Sequence, residues 1–234
     1  MGIRINKYLA ERGMCSRREA DAKIRAGEIW VNGEPAKMGM LIESGDKVTL
    51  DGEPVRKKPP ALAYYAFHKP VGIMTSVDPK AKDTVRSFLG LEHELFPVGR
   101  LDVASSGLLL LTNDGRLSER ITHPKYDHEK EYVVKLNRPL SENDRYRMED
   151  GMMILGSKTK PARIQMLTEK KFSIILTEGR NRQIRRMCEQ LGYLVVGLRR
   201  IRVMNIELEG LRVGAVRPLT TSEIKELKTL LEIE

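Results

Sequence analysis

The sequence has few cysteines and no long apolar segment. Its two thiols, Cys15 and Cys188, lie far apart, and neither belongs to a Cys-x-x-Cys pair. This spacing argues against a disulfide framework or a zinc site and is typical of a protein in a reducing cytoplasm. No apolar run reaches transmembrane length, and the polar residues Arg4, Asn6 and Lys7 interrupt any signal-peptide core near the start. We therefore expect a cytoplasmic protein without membrane contact, and the sequence shows no metal-ligand cluster.

What is abundant is positive charge. The 234 residues include 41 basic and 32 acidic side chains, for a net charge of +9. Such an excess favours a polyanionic partner such as nucleic acid, although it says nothing about the fold. The length allows one or two domains with a sizeable core.

The first fifty residues predict two short helices followed by small strands. Residues 4–12 form the first predicted helix, which Gly13 ends. Ser16 and Glu19 have the spacing of a capping box and open a second helix that ends at Gly27. Strands are predicted at 29–31 and 47–50, and Asn32-Gly33 is a strong signal for a tight hairpin. The basic residues of the helices face either solvent or a partner.

Residues 53–63 are rich in proline and basic side chains and predict an extended linker. A linker needs no binding role, but its Arg56, Lys57 and Lys58 could also touch a polyanionic partner. We therefore divide the chain into a domain at 1–52, a linker at 53–63 and a larger domain at 64–234.

The central stretch of the larger domain runs from Gly99 to Gly115. Asp102 lies in a loop of small and polar residues, directly before a run of four leucines that predicts a buried strand. A carboxylate in a loop that leads into a rigid strand could be held in place for a chemical reaction. Taken alone, an aspartate beside Ser105 and Ser106 is more often a solvated turn residue.

The rest of this domain predicts alternating strands and short helices, hence an α+β fold with a mixed, mainly antiparallel sheet. Strands are predicted at 62–67, 129–136, 162–167, 172–177, 193–203, 204–206 and 211–216, and helices at 116–122, at 144–150, after Gln183 and after Thr220.

Four arginines lie within seven positions around the start of the helix after Gln183. Together with the positive end of the helix dipole, they predict a site for a phosphate or carboxylate. A solvated basic face explains the same arginines equally well.

Two resemblances choose between these alternatives. Asn-Lys-Tyr-Leu from Asn6, Cys-Ser-Arg-Arg-Glu-Ala-Asp from Cys15 and Val-Asn-Gly from Val31 make the start of the chain similar to the S4 RNA-binding domain. This resemblance implies that Arg17, Arg18 and Lys7 contact RNA, with Arg25 behind them. Contacts of this kind with phosphates give affinity without sequence choice.

The larger domain resembles the RsuA/RluB/RluE/RluF family of pseudouridine synthases. The shared motifs are Lys-Pro-Val-Gly from Lys69, Gly-Arg-Leu-Asp through Gly-Leu-Leu-Leu-Leu-Thr from Gly99, Lys-Glu-Tyr from Lys130 and Gly-Arg-Asn-Arg-Gln-Ile-Arg from Gly179. The resemblance implies that Asp102 is catalytic, that Tyr132 stacks near the target base and helps to remove a proton, and that Arg185 pairs with Asp102.

The same resemblance places Ile184 beside the base and assigns Arg100 and Arg182 to substrate binding. Residues 128–132 and Arg182 indicate the RluF-like branch, for which we expect 23S ribosomal RNA as the substrate. The implied reaction converts uridine to pseudouridine without a cofactor or metal, in an enzyme that acts as a monomer.

Three alternatives stay open at this point. The substrate could be 16S ribosomal RNA or tRNA, the chain could be an RNA-binding or ribosome-assembly factor without activity, or it could be a glycosidase. A binding factor leaves Asp102, Tyr132 and Arg185 without a joint purpose, and glycosidases generally use two paired acids.

Overall fold

The computed structural model describes residues 2–55, 59–78, 81–91 and 95–233. The chain forms two compact units, one of residues 1–63 with the segments 92–96 and 113–115, the other of the remaining residues. Arg56, Lys57 and Lys58, which could touch RNA, lie outside the described residues.

The first unit combines two helices with short strands. Its elements are β1 (Ile3–Arg4), α1 (Ile5–Glu11), α2 (Arg17–Ala26), β2 (Ile29–Val31), β3 (Glu34–Pro35), β4 (Leu41–Ile42), β5 (Val48–Leu50) and β6 (Glu53–Pro54). Four strands form an antiparallel sheet in the order β3-β2-β5-β6, and β1 pairs with β4. Because β6 pairs with β5, the sheet continues past residue 52.

Local chemistry explains the helix and the hairpin of this unit. The Glu19 amide donates to the Ser16 hydroxyl at 3.2 Å and the Ser16 amide to the Glu19 carboxylate at 2.7 Å, so the predicted capping box is confirmed. Asn32 and Gly33 have φ angles of 53° and 88°, as a tight hairpin with two left-handed residues requires. Strand β2 buries Ile29 and Val31 in the core and turns Trp30 outward, 42% exposed.

The remaining part of the chain is dominated by one large sheet. Its elements are β7 (Tyr64–Lys69), α3 (Val85–Leu89), β8 (Phe96–Pro97), β9 (Ser106–Thr112), α4 (Gly115–Thr122), a 3₁₀ turn (Pro124–Tyr126), β10 (Lys130–Leu136), α5 (Glu142–Asp150), β11 (Met153–Ile154), β12 (Ser157–Lys158), β13 (Arg163–Thr168), β14 (Lys171–Leu176), α6 (Gln183–Gln190), β15 (Val195–Val203), β16 (Ile206–Glu207), β17 (Val216–Pro218) and α7 (Thr221–Leu230).

The sheet order is β13-β14-β10-β15-β9-β7-β17. Strands β9 and β15 are parallel and the other neighbours in this order are antiparallel, which confirms the expected mixed sheet. Apolar residues of β10, β14 and α6 form one part of the core, and those of β7, β9, α4 and α7 form another. The leucine run of β9 is buried between neighbours on both edges.

The strand predicted at 211–216 is wrong for most of its length. Residues 208–215 form turns, in which the Leu211 amide donates to Leu208 O at 3.1 Å and the Ala215 amide to Arg212 O at 3.0 Å. Gly210 and Gly214, at φ 71° and 81°, allow these turns, and β17 begins only at Val216. No helix in the described part of the chain is both long and apolar enough to span a bilayer.

Candidate active site

A cavity of about 410 Å³ opens in the second unit, where the loop before β9 meets β10, β15 and the segment before α6. Its walls include five of the residues predicted from the sequence: Arg100, Asp102, Tyr132, Arg182 and Ile184. The other predicted RNA contacts, Arg17, Arg18 and Lys7, are exposed on α1 and α2 of the first unit. Residues from three of the four motifs of the larger domain, those that begin at Gly99, Lys130 and Gly179, thus line one cavity.

The loop that carries Asp102 is fixed through its backbone. The Thr75 hydroxyl donates to Leu101 O at 2.7 Å and accepts from the Leu101 amide at 3.1 Å, so it holds both sides of the residue before Asp102. The Gly72 amide donates to Val103 O at 2.8 Å, and the Ser105 amide to Asp102 O at 3.0 Å. These hydrogen bonds leave the Asp102 carboxylate about one-third exposed, facing the cavity.

Arg182 is the arginine nearest to the Asp102 carboxylate. Its Nη1 lies 3.9 Å from Asp102 Oδ2. Arg182 is the residue before α6 and adopts a left-handed backbone with φ 52°, which the sequence did not indicate. Both side chains are partly exposed, so the contact is a loose ion pair rather than a buried one.

The expected pairing of Arg185 with Asp102 is corrected by the structure. Arg185 donates instead to Val195 O at 3.1 Å, to Ala104 O at 2.8 Å and to the Ser105 hydroxyl at 3.5 Å. Placed on the first turn of α6, its guanidinium reaches the backbone behind Asp102 rather than the carboxylate. Burial, and then the charge of Arg182, lower the pKa of Arg185, while the charge of Asp102 opposes them.

The spacing of the Gly-Arg-Asn-Arg-Gln motif has a structural cause. Gln183 Oε1 accepts from the Arg180 amide at 3.1 Å, and Gln183 Nε2 donates to the Glu178 carboxylate at 3.0 Å. Glu178 also accepts from Arg180 Nε at 3.0 Å. This network shapes the turn that presents Arg182 and starts α6.

Tyr132 and Ile184 belong to the apolar lining of the cavity, together with Val98, Leu101, Ile121, Leu176, Leu198 and Val203. Tyr132 is half-buried on β10, opposite Arg200 of β15 and Ile174 of β14, and packs against two apolar clusters. Ile184, on the first turn of α6, is 4% exposed. A flat base could be held between such side chains.

Gly107 allows β9 to approach β15 closely. A Cβ on this residue would lie 2.2 Å from Arg200 O, and its φ of +114° favours glycine. The glycine of the central motif therefore sets the distance between the Asp102 loop and the strand of Arg200.

Two lysines of the family motifs also belong to this region, although the sequence assigned them no role. Lys69 is completely buried and its ammonium donates to Pro70 O at 2.7 Å and Ile73 O at 2.6 Å. Burial lowers its pKa to about 8, against the opposing charge of Asp102. Lys130 lines the cavity, and burial followed by repulsion from Arg200 lowers its pKa to about 8 as well.

Arg200 was missed altogether, because one arginine among three on a predicted strand carries no signal. The structure buries it to 3% exposure in the wall of the cavity.

Comparisons with known proteins agree with this geometry. A family model described as RNA pseudouridylate synthase matches residues 63–190, and an S4 domain model matches residues 3–48. The chain is similar to the dual-specificity RNA pseudouridine synthase RluF of Escherichia coli K12, with 41% identity over 98% of this chain and 80% of the relative.

It is also similar to the ribosomal large subunit pseudouridine synthase B of Bacillus subtilis, with 36% identity over 98% of this chain and 97% of the relative. A crystal structure of a pseudouridylate synthase superposes with a TM-score of 0.71 and 36% identity, over 96% of this chain and 99% of the other.

Proposed function

The chain belongs to the RNA pseudouridylate synthase family, and we propose that it isomerises uridine to pseudouridine in 23S ribosomal RNA with Asp102 as the catalytic carboxylate. One observation carries the assignment of the site: a single cavity is lined by Asp102, Tyr132 and Ile184. A carboxylate for the sugar and an apolar slot for the base are the two elements that this isomerisation needs.

Asp102 acts on the ribose of the target nucleotide. It either attacks C1′ or removes the C2′ proton, and both routes require the ionised carboxylate. Arg182 supplies a positive charge 3.9 Å away. Arg185 acts indirectly, as a positioning residue that holds Ala104 O and thereby the loop of Asp102.

The target base enters the cavity after leaving its stack, because a uridine within a helix is out of reach of the carboxylate. Tyr132 and Ile184 then pack against the faces of the flipped base. The Tyr132 hydroxyl is the group that helps to remove the proton from C5 after the base has turned.

Exposed arginines bind the RNA backbone around this base. Arg100 and Arg182 serve the nucleotides next to the target, and Arg17, Arg18 and Lys7 of the S4 unit add further phosphate contacts. We propose that a single copy of the chain does this in the cytoplasm.

The choice of 23S RNA rests on the relatives. One is named for the large ribosomal subunit and another for dual specificity. The test incubates the purified protein with unmodified transcripts of 23S RNA, 16S RNA and tRNA, followed by nucleotide-resolution mapping of pseudouridine. We expect product in the 23S transcript. Product only in 16S RNA or tRNA would overturn the substrate, and none in any transcript would overturn the proposed function.

A further inference from the structure

Two cations in the cavity wall have no part in the mechanism above. Lys130 lies on β10, two residues before Tyr132, and Arg200 lies on β15 directly opposite Tyr132. Opposite residues of neighbouring antiparallel strands place their side chains on the same face of the sheet. All three side chains line the cavity that Asp102 also lines.

Within the described part of the chain, neither cation forms an ion pair. The Lys130 ammonium donates to His128 O at 3.0 Å, and Arg200 Nε donates to Leu108 O at 2.7 Å. Arg200 Nη2 is buried and has no hydrogen-bond partner among the described residues. Both cations thus keep unused donors close to the cavity.

A neighbour on the same strand shows the contrast. Arg202, two residues after Arg200, donates to Glu131 at 3.0 Å and to Glu129 at 3.1 Å, so two carboxylates neutralise it. The carboxylates that line the cavity are engaged elsewhere, Asp102 with Arg182 and Glu178 with Arg180 and Gln183. Among the described residues, Lys130 and Arg200 thus lie in the cavity wall without a counter-charge.

Holding two uncompensated cations away from water is costly, and the lowered pKa of Lys130 reflects that cost. At pH 7 the ammonium is still charged, because its pKa of about 8 lies above that pH. Sites of this kind are used where negative charge arrives during a reaction.

The position of Lys130 and Arg200 in the cavity wall indicates which kind of anion they bind. Phosphates are strongly hydrated and fit the exposed Arg100 and Arg182. A buried Arg200 beside a partly buried Lys130 fits a group that enters the cavity without its water. The nucleobase is such a group. When the N1–C1′ bond breaks, its electron pair stays on the uracil and spreads over N1, O2 and O4.

We propose that Lys130 and Arg200 form an oxyanion subsite that binds the carbonyl oxygens of the departing uracil and stabilises its negative charge. The charge is transient: the pair returns through C5 to form the C5–C1′ bond, C5 loses its proton, and N1 gains one. The isomerisation balances without any co-reactant. This inference rests on the proposed function.

The first test separates chemistry from binding. Lys130→Gln should lower the single-turnover rate at pH 7 by about 10²–10³-fold, the usual effect of losing one preorganised donor. RNA affinity and its salt dependence should stay unchanged, because every phosphate-binding side chain is still present. Lys135→Gln, on the same strand but exposed, is the matched control and should keep the wild-type rate.

Chemical rescue distinguishes the loss of the Lys130 charge from a folding defect. Lys130→Cys, alkylated with 2-bromoethylamine, regains an ammonium of nearly the same reach, whereas Cys15 and Cys188 are buried and resist the reagent. We expect the alkylated protein to recover most of the missing rate, with treated wild type as control. Failure to recover any rate in a folded, RNA-binding protein would contradict a role for the charge.

The second test varies the leaving group. Fluorine at C5 withdraws electrons and makes the departing base less basic, so its release depends less on the two cations. The defect of Lys130→Gln in consuming 5-fluorouridine within the substrate RNA should be smaller than its defect with uridine. A structural role for Lys130 predicts equal defects for both.

The outcomes are distinct. If wild type forms pseudouridine and Lys130→Gln forms it at the same rate, the subsite is wrong and the proposed function stands. If Lys130→Gln weakens RNA binding and reduces the salt slope while its single-turnover rate at saturation is normal, the anion is a phosphate and the proposal fails. If wild type forms no pseudouridine, the proposed function fails with it.

Discussion

Asp102 owes its position to residues that never touch the carboxylate. Thr75 holds Leu101 from both backbone groups, Gly72 holds Val103, and Arg185 holds Ala104. Three near neighbours of the carboxylate are thus tied to three different segments. A reacting group gains more from such restraint than from additional partners of its own, because small displacements are costly in rate.

The direct test of this residue is Asp102→Asn. Asparagine has nearly the same shape, and the pair with Arg182 is loose and partly exposed, so the free energy of unfolding should change by no more than about 1 kcal/mol. Without a charged carboxylate, the chemical step should vanish. A tritium-release assay on RNA measures the product, and filter binding measures affinity.

Asp150→Asn is the matched control, since Asp150 is a surface carboxylate paired with Lys158. Its activity should equal that of wild type. Product formed by Asp102→Asn at a near wild-type rate would remove the catalytic assignment.

Tyr132→Phe tests the hydroxyl of the aromatic residue in the cavity. A ring of the same size preserves the packing against both apolar clusters, so folding and RNA affinity should be retained. Loss of proton removal should slow product formation by about 10²–10⁴-fold in single-turnover assays. Tyr146→Phe, exposed on α5, is the control. Equal rates for all three proteins would make Tyr132 a packing residue only.

At the scale of elements, the start of each well-predicted helix is encoded locally. At the start of α2, the side chains of Ser16 and Glu19 each accept a hydrogen bond from the other residue's backbone amide. Thr220 and Glu223 do the same at the start of α7. Such signals involve residues three apart, so the sequence reveals them. The partner of Arg185 was not predictable in this way, because it depends on how α6 approaches a loop about eighty positions earlier.

Glu223 makes the stability of the start of α7 depend on pH. It accepts two hydrogen bonds from Arg217, at 2.8 and 2.7 Å, and one from the Thr220 amide. These bonds, those of Arg217 foremost, lower its pKa from 4.5 to about 2. Because the folded pKa is depressed, the stabilisation is fully present above about pH 4.5 and is lost as the pH falls towards 2.

Glu223→Gln should therefore reduce the free energy of unfolding at pH 7 by about 1–3 kcal/mol. The difference from wild type should shrink between pH 4.5 and 2. Urea unfolding followed by circular dichroism at several pH values measures it. Glu226→Gln, exposed on the same helix, serves as control. A difference that is constant with pH would show that the Glu223 charge is not responsible.

At the scale of the whole molecule, the positive charge of the S4 unit is expected to give RNA affinity. Reversing Arg17 and Arg18 to glutamate should weaken binding and reduce the slope of log K against log salt, by about 0.7–0.9 for each phosphate that the protein no longer neutralises. Filter binding across a salt series measures this. Lys225→Glu with Lys228→Glu changes the net charge equally on α7 and should leave the slope unchanged. An unaltered slope in the arginine variant would contradict RNA contact there.

The overall organisation was predictable because its motifs are long and contiguous. The family motifs predicted Asp102, Tyr132 and Ile184 as site residues, and all three line one cavity, while their roles stay predictions. Lys130 and Arg200 escaped notice as a pair, because only the register of β10 and β15 brings them together across about seventy residues of chain. The absence of a carboxylate near a cation depends on the fold and leaves no pattern in a sequence.

Because Trp30 points outward from β2, its intrinsic fluorescence can report on unfolding without an added label. It is the only tryptophan in the sequence, and its ring lies half in solvent on the outer face of the sheet in the S4 unit. Light absorbed at the red edge of the aromatic band is therefore emitted from that unit alone. Denaturation of the S4 unit can be followed by this emission, while circular dichroism reports on the entire chain, so a single unlabelled sample reveals whether the two units melt together or in turn.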